Sequence, residues 1–457
     1  MESSTASQPE TLTGWGRTAP TFACVDEPID VRAAATAVAR AGARGVIARG
    51  LGRSYGDAAQ NGGGVVLRTT AMAKFDRIDL ERGRLNVGAG ASLDRLMRTL
   101  VPLGWFIPVS PGTRQVTVGG AIAADIHGKN HHRDGSFGGY VDSIDLLAPT
   151  GALEATPDEH PDAFWATVGG MGLTGVIAGA TLRLLPIETS LMRVDTDRAA
   201  NLDEAMAMMS EGDDRYRYSV ACIDCLARGG ALGRAVLTRG DHAALDELSA
   251  AQRRKPRRFA PVTPLGAPSL VPAGLVNRLT IAAFNEAWYR KAPRRERGRL
   301  ESISSFFHPL DGVANWNRLY GPGGFLQYQV AVPAGAEETI RELVQAFRDA
   351  GTPSFLAVLK RFGPGSPAPL SFPLPGWTLA LDMPATTPGL AALLDRLDQR
   401  VADVGGRVYL AKDSRMRPDM LGAMYPRLDE WRQVRARLDP EGVMQSDLSR
   451  RLNLLGA

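Results

Sequence analysis

Ala48-Arg49-Gly50-Leu51-Gly52-Arg53-Ser54-Tyr55-Gly56-Asp57 is the stretch whose reading decides the fold. Gly50, Gly52 and Gly56 free the backbone to turn and to present its N–H groups in succession. Such a run makes a concavity suited to a pyrophosphate. Arg49 and Arg53 add charge if their side chains turn inward. The spacing is not the G-x-G-x-x-G that opens a helix in dinucleotide folds, because the third glycine falls one position late. Asn61-Gly62-Gly63-Gly64 and the strand-like Val65-Val66-Leu67 follow, and a helix does not run through three glycines. The spacing predicts strand, loop, strand, and it points away from Rossmann-type nicotinamide dehydrogenases. An ordinary Gly-rich turn is the plain alternative for this loop taken alone.

Thr117-Val118-Gly119-Gly120 and Asp125-Ile126-His127-Gly128 read as the second wall of the same cradle. Between them lies the mostly small run Gly119 to Ala124, which lets a flat ring or a pyrophosphate lie close to backbone. Tight helix packing is the other use of such a run. His127, His131 and His132 invite a metal reading, but Gly128 interrupts the helix that would align them and no HExxH glutamate is present. No metal is expected.

The chain has 457 residues, 44% hydrophobic and 22% charged, with a net charge of +4. These are ordinary values for a globular protein of two to four domains. No apolar run reaches the length of a membrane-spanning helix, and Met1 to Pro9 is polar rather than signal-like. On sequence alone the expectation is cytoplasmic. Three cysteines, Cys24, Cys222 and Cys225, do not make a disulfide framework. Cys222-Ile223-Asp224-Cys225 has strand-like flanks rather than the helix N-terminus of a redox CxxC. Basic clusters at 253–258 and 290–295 flank the apolar, Pro-rich Pro261 to Leu275. They suit anionic lipid headgroups or a lipid phosphate, or simply a solvated surface. No nucleic-acid signature accompanies them.

Thr11 to Pro186 alternates short strands, Gly turns and short helices, with Ser92 capping a helix through Leu100. Further on, helices are expected over Ala199 to Met209, Glu337 to Ala350, Gly389 to Val404 and the Arg-rich Tyr425 to Leu455. Strands are expected within Gly212 to Thr238, at Gln327 to Val332 and at Trp377 to Met383. The fold class expected is α+β, with a second α+β unit built on an antiparallel sheet. Lys412, just past the strand-like Arg407 to Leu410, suits stabilisation of negative charge. Gln327, Gln329, Lys360 and Asp382, on expected strands, suit a pocket for sugar hydroxyls and phosphate, unless they face solvent.

Taken together, these residues resemble the vanillyl-alcohol oxidase superfamily of FAD enzymes: Arg49 to Asp57, Pro111-Gly112-Thr113, Thr117 to Gly120 and His127-Gly128. Within it, the chain is similar to the decaprenylphosphoryl-β-D-ribose 2-oxidase family. That likeness rests on Asp125 to His132, Phe164 to Gly170, Gly172 to Gly175, Trp316-Asn317-Arg318, Gly324 to Gln329, Pro369 to Pro373 and Ala411 to Arg415. The resemblance implies a two-domain FAD-binding fold, with an FAD domain over 11–190 and 407–457 and an inserted antiparallel-sheet substrate domain over 191–406.

It also implies noncovalent FAD, since the first loop has no histidine. The implied contacts are Ala48 through Ala58, Gly112, Thr117 through Gly120, Ala124 through His127, Ile177 and Tyr409. Lys412, Tyr55 and His127 would be catalytic. Lys129, Gln327, Gln329, Lys360, Asp382 and Lys412 would bind substrate. The implied reaction oxidises the C2 hydroxyl of a polyprenylphosphoryl-β-D-ribose to the 2-keto sugar, the first half of epimerisation to the arabinose donor of cell-wall arabinan. A quinone or oxygen would be the acceptor, a separate NAD(P)H-dependent keto-reductase would complete inversion, and peripheral contact with the membrane or cell envelope is implied, with the periplasmic side as one placement.

Four pocket positions depart from the family pattern: Ala380 in place of cysteine, Thr378 in place of asparagine, Cys222 in place of tryptophan and Phe307 in place of tyrosine. They leave open a sugar-alcohol or aldonolactone oxidase acting on a soluble sugar. A non-catalytic flavin-binding subunit of an envelope complex is the alternative of another class.

Overall fold

In a computed structural model, residues 8–456 are described, apart from 269, 270, 273, 355 and 356. Three main sheets carry the chain. The first, of four strands, runs in the order Gln8–Leu12, Thr21–Asp26, Val65–Arg68, Val46–Arg49. Val46–Arg49 pairs in parallel with Val65–Arg68, and the 15 residues between them form turns without a helix. The second is antiparallel, in the order Phe75–Asp79, Arg84–Gly88, Val176–Arg183, Val141–Ala148, Gly151–Ala155.

The third has eight strands. Its order is Arg295–Ser302, Leu191–Ala199, Ala235–His242, Tyr218–Ile223, Ala357–Phe362, Gly376–Pro384, Phe325–Pro333, Arg407–Val408, and its ladder is antiparallel throughout. Gly376–Pro384 is buried along its whole length, as a central strand covered on both faces must be. Helices Leu202–Gly212, Glu337–Asp349 and Leu390–Asp403 bury Met209, Leu343, Phe347 and Leu394 in the core of this unit.

Local signals account for several boundaries. Ser92 accepts from the Arg95 amide and caps the Leu93–Leu100 helix. Gly351, at φ +62°, ends the helix that begins at Glu337. Two expectations need correction. Ala199 finishes a strand, and the helix begins at Leu202 behind an Asn201 cap. The tail from Tyr425 is not one helical run: helix Leu428–Leu438 stops where the buried Asp439 carboxylate accepts from the amides of Val443 and Met444 and from Arg435. A second helix, Asp447–Arg451, follows. Pro261 to Leu275 includes Ser269, Leu270 and Ala273, which lie outside the described residues. No helix among the described residues is long and apolar enough to cross a membrane.

Candidate active site

A cavity of about 600 Å³ runs from the Gly50 loop, past helix Val118–Ala123, to one face of the eight-stranded sheet. Ala48, Gly50, Leu51, Gly52, Arg53, Ser54, Tyr55 and Ala58 form its first wall. Gly112, Thr117, Gly119, Gly120, Ala124, Ile126, His127, Ile177 and Tyr409 form the second. The amides of Leu51, Gly52, Arg53 and Ser54 take part in no hydrogen bond among the described residues, and all four residues line the cavity, so their donors are free for a ligand. A Cβ on Gly50 would sit 2.2 Å from Thr117 Oγ1, and Gly52 needs φ +65°. These are the places where glycine is required: they bring the two walls together and leave space for a diphosphate between them.

The helix wall behaves differently from the loop. The Val118 and Gly119 amides donate to the carbonyls of Ala91 and Ala89, and the Gly120 amide donates to the Thr117 hydroxyl. Its N-terminal donors are spent internally, so this wall supplies shape rather than anion contacts.

Five of the expected cofactor contacts do not line the cavity. Arg49 points away and donates to the carbonyls of Ala59 and Thr13 at 2.9 and 2.7 Å, holding the base of the loop. Gly56 passes so close to Asp413 that a Cβ would lie 2.0 Å from its carbonyl oxygen. Asp57 pairs with Arg451, each carboxylate oxygen at 2.8 Å. Val118 is core. Asp125 accepts from Ser136, Gly138 and Ser371 at 2.6–2.9 Å and knits the turn before His127. Arg53 lines the cavity, but its guanidinium lies over the Trp15 ring at 3.8 Å and donates to the Gln115 carbonyl. Arg49 is therefore not an inward-pointing phosphate ligand, whereas Arg53 stays at the cavity wall.

The far end of the cavity is a sheet face. Strand register places Cys222 opposite Val358, Val358 opposite Ala380 and Ala380 opposite Gln329. Side chains alternate along strands, so Gln327, Gln329, Lys360, Ala380 and Asp382 share that face and all line the cavity. Thr378 belongs to the same alternation and receives the Gln329 amide at 3.3 Å. Lys412 comes from the turn after Arg407–Val408, and its Nζ sits 3.8 Å from the centre of the Tyr55 ring. Gln327 Nε2 donates to Asp382 Oδ1 at 2.6 Å and reaches the Tyr55 hydroxyl at 3.4 Å. The other oxygen of Asp382, fully buried, has no partner among the described residues.

His127 is held from both sides, with Lys360 Nζ 3.2 Å from Nδ1 and the Gln329 amide 2.9 Å from Nε2. Burial and the nearby Lys360 keep this ring neutral, well below the usual histidine range. Lys129 donates to the Phe306 carbonyl and lies 4.3 Å from that ring's centre.

Three amines therefore converge, and burial makes their charge costly. Lys129 is pushed down to about 8 by burial. Lys360 is pushed down to about 7 by burial, then by Lys129 and Lys412. In the Asp382–Lys412 pair, burial raises the carboxyl and lowers the amine, while their mutual attraction opposes both shifts. The site has an excess of cationic capacity and is suited to an anionic ligand.

One wall escaped the sequence reading. Asp311 accepts from the Thr113 hydroxyl at 2.6 Å and the Arg114 amide at 2.8 Å, which fixes the Pro111-Gly112-Thr113 turn. His308 Nε2 meets Ser110 Oγ at 2.8 Å. Both contacts span 198 residues, and no local pattern announces them. The three histidines are each engaged by protein: His131 accepts from the Gly363 amide and His132 meets the Tyr216 carbonyl. Cys222 lines the cavity, whereas Cys225 is buried in the core.

Comparison with known proteins agrees with this geometry. A family model described as an FAD binding domain matches residues 21–156, which hold the Gly50 loop and the Thr117 wall. A model described as D-arabinono-1,4-lactone oxidase matches residues 382–452. Decaprenylphosphoryl-beta-D-ribose oxidase of Mycolicibacterium smegmatis is 48% identical over 450 residues, covering 97% of each chain. An uncharacterized protein of Streptomyces coelicolor is 45% identical over 79% of this chain and all of its own length. A D-lactate dehydrogenase of Anaerostipes hadrus is 29% identical over 30% of each chain. The α+β fold carries an FAD-binding domain, and FAD is the cofactor that the free loop amides and the glycine cradle fit. The chain belongs to the decaprenylphosphoryl-beta-D-ribose oxidase family of FAD-dependent oxidoreductases.

Proposed function

We propose that this enzyme oxidises the C2 hydroxyl of a polyprenylphosphoryl-β-D-ribose to the 2-keto sugar, the first half of epimerisation to an arabinose donor. The observation that carries the reading is the meeting of the Gly50 loop with the amine-rich sheet face in one cavity. In this reading residues 11–190 and 407–457 form the FAD domain and 191–406 the substrate domain. The amides of residues 51–54 would hold the diphosphate of noncovalent FAD, and Tyr409, Ile177 and Gly119 line the cavity that would take the rest of it. Bound FAD supplies the acceptor for the hydride that leaves C2.

The protein's own groups do the rest. Lys360 and Lys129 receive the substrate phosphate; at neutrality Lys129 keeps its proton and Lys360 is about half charged. Gln327, Gln329 and Asp382 bind the sugar hydroxyls. Lys412 stabilises negative charge as the C2 hydroxyl passes its proton to water. Tyr55, whose hydroxyl burial keeps protonated, positions Lys412 through its ring. His127 holds Lys360 and Gln329 in register. A quinone or oxygen is the terminal acceptor, a separate NAD(P)H-dependent keto-reductase completes inversion, and the enzyme works at a membrane surface.

Anaerobic titration of the purified holoprotein tests this. The polyprenylphosphoryl ribose should bleach flavin absorbance, and its arabinose counterpart or a lipid-free polyol should not. A second reading, an oxidase of soluble aldonolactones, is favoured by the lactone-oxidase match over 382–452. Bleaching by a soluble lactone alone would decide for it.

A further inference from the structure

Helix Arg278–Lys291 is built the wrong way round for a surface helix. Only Ile281 is buried, and the side chains turned outward include Leu279, 82% exposed, and Trp288, 49% exposed. Ala282, Ala283 and Ala287 are exposed beside them, and the Phe284 and Trp288 rings stack at 6.1 Å. A surface helix ordinarily buries such residues and shows polar ones. The exposed charges on this helix are Arg278, Arg290 and Lys291. Its one carboxylate, Glu286, is half-buried and paired with Arg234 and Arg290.

A second apolar element adjoins the cavity. Val262 is 73% and Leu265 65% exposed, yet Thr263, next to Val262, lines the cavity and donates to the Asp311 carbonyl at 2.9 Å. Leu265–Gly266 pairs in parallel with Val313–Ala314, which also line the cavity. Val276, at the foot of the helix, packs against the cluster of Tyr55, Trp316, Tyr320 and Phe325. The exposed Arg253-Arg254-Lys255 and Arg257-Arg258 lead into this loop. The exposed apolar side chains of the loop thus adjoin the cavity, and the exposed charges on the helix and ahead of the loop are cations.

We propose that helix Arg278–Lys291 and the Pro261–Ala267 loop dock on an anionic lipid bilayer, with the cavity mouth turned toward it. Aromatic and aliphatic side chains suit the boundary between headgroups and acyl chains, while arginine and lysine reach the phosphates. Two copies of this face would oppose cation to cation, which disfavours self-association. The inference deepens the proposed function, on whose lipid-linked substrate it rests. In the docked orientation a prenyl tail leaves the bilayer directly into the cavity.

The test uses full-length holoprotein and sedimentation with vesicles of phosphatidylcholine alone or with about one-third phosphatidylglycerol. The wild type should sediment with the anionic vesicles only, and raised salt should release it. The double variants L279S/W288S and R290E/K291E should each weaken binding at least about tenfold. Both should keep bound FAD and turn over a short-chain, water-soluble phosphoryl ribose at the wild-type rate. Equal sedimentation of wild type and both variants would overturn the proposal, as would absence of vesicle binding by the wild type. A halving of particle mass on L279S/W288S, read by light scattering, would give the face to a second copy instead. Vesicle binding is read without substrate, so loss of phosphoryl-ribose turnover in the wild type itself would count against the proposed reaction and leave the docking result intact.

Discussion

Lys360 should make substrate binding fall steeply between pH 6 and pH 8. Its amine is held at about 7 by burial and by the two neighbouring lysines, so its charged fraction drops from about nine-tenths at pH 6 to about one-tenth at pH 8. A phosphodiester keeps its single negative charge across that range, so the change in binding belongs to the protein. If the ammonium form is the one that binds, the dissociation constant rises about tenfold over those two pH units. Lys129, at about 8, adds a further decline at higher pH. The assay is anaerobic flavin absorbance against substrate concentration at each pH. Lys360→Met removes the titrating group and should flatten the profile between pH 6 and 8, with weak binding throughout. A wild-type profile flat over this range, or a tenfold fall that persists in Lys360→Met, would refute the argument.

Lys360→Met should also raise the melting temperature of the substrate-free protein. The unfolded chain keeps its lysine proton to about 10.5 while the folded state gives it up near 7, so the penalty is full below pH 7 and fades as pH rises toward 10.5; scanning calorimetry at pH 6 and 9 should show the larger gain at pH 6. Lys412→Ala should leave FAD bound and slow substrate-driven bleaching about a hundredfold or more, read by stopped-flow; undiminished bleaching would remove Lys412 from the mechanism. Gly50→Ala puts a methyl group 2.2 Å from Thr117 Oγ1, displacing that cap at about 1 kcal/mol plus about 1–3 kcal/mol of overpacking, so the purified variant should lose yellow colour and melt lower. Arg451→Met strips Asp57 of its partner and should cost about 3 kcal/mol in urea unfolding, with weaker FAD retention measured by ultrafiltration.

Much of the cofactor wall was legible because its signals are local. The glycines of residues 50–56 dictate a turn wherever they occur, and Thr117 announces a helix cap. The sheet face was legible only in part. Alternation puts Gln327 with Gln329 and Ala380 with Asp382 on shared faces, but which face meets the cofactor wall depends on pairing between strands more than 50 residues apart. The direction of the Arg49 side chain was not readable at all, because carbonyls of Thr13 and Ala59 compete for it. Asp311 was invisible for the same reason: its partners at 113 and 114 become neighbours only after long-range folding. The expected continuous tail helix failed because a buried carboxylate, Asp439, offered the backbone a better alternative than another turn.

Residues 447–451 fasten the loop of residues 57–62. Arg451 grips Asp57 across 394 positions, Asp447 accepts the Gly62 amide, and Arg450 reaches the Asn61 side chain. A nascent chain that has not yet reached Asp447 holds a glycine loop that still lacks its clasp. Retention of FAD should therefore depend on the segment that carries Asp447 and Arg451, and a chain truncated before residue 447 should emerge without colour.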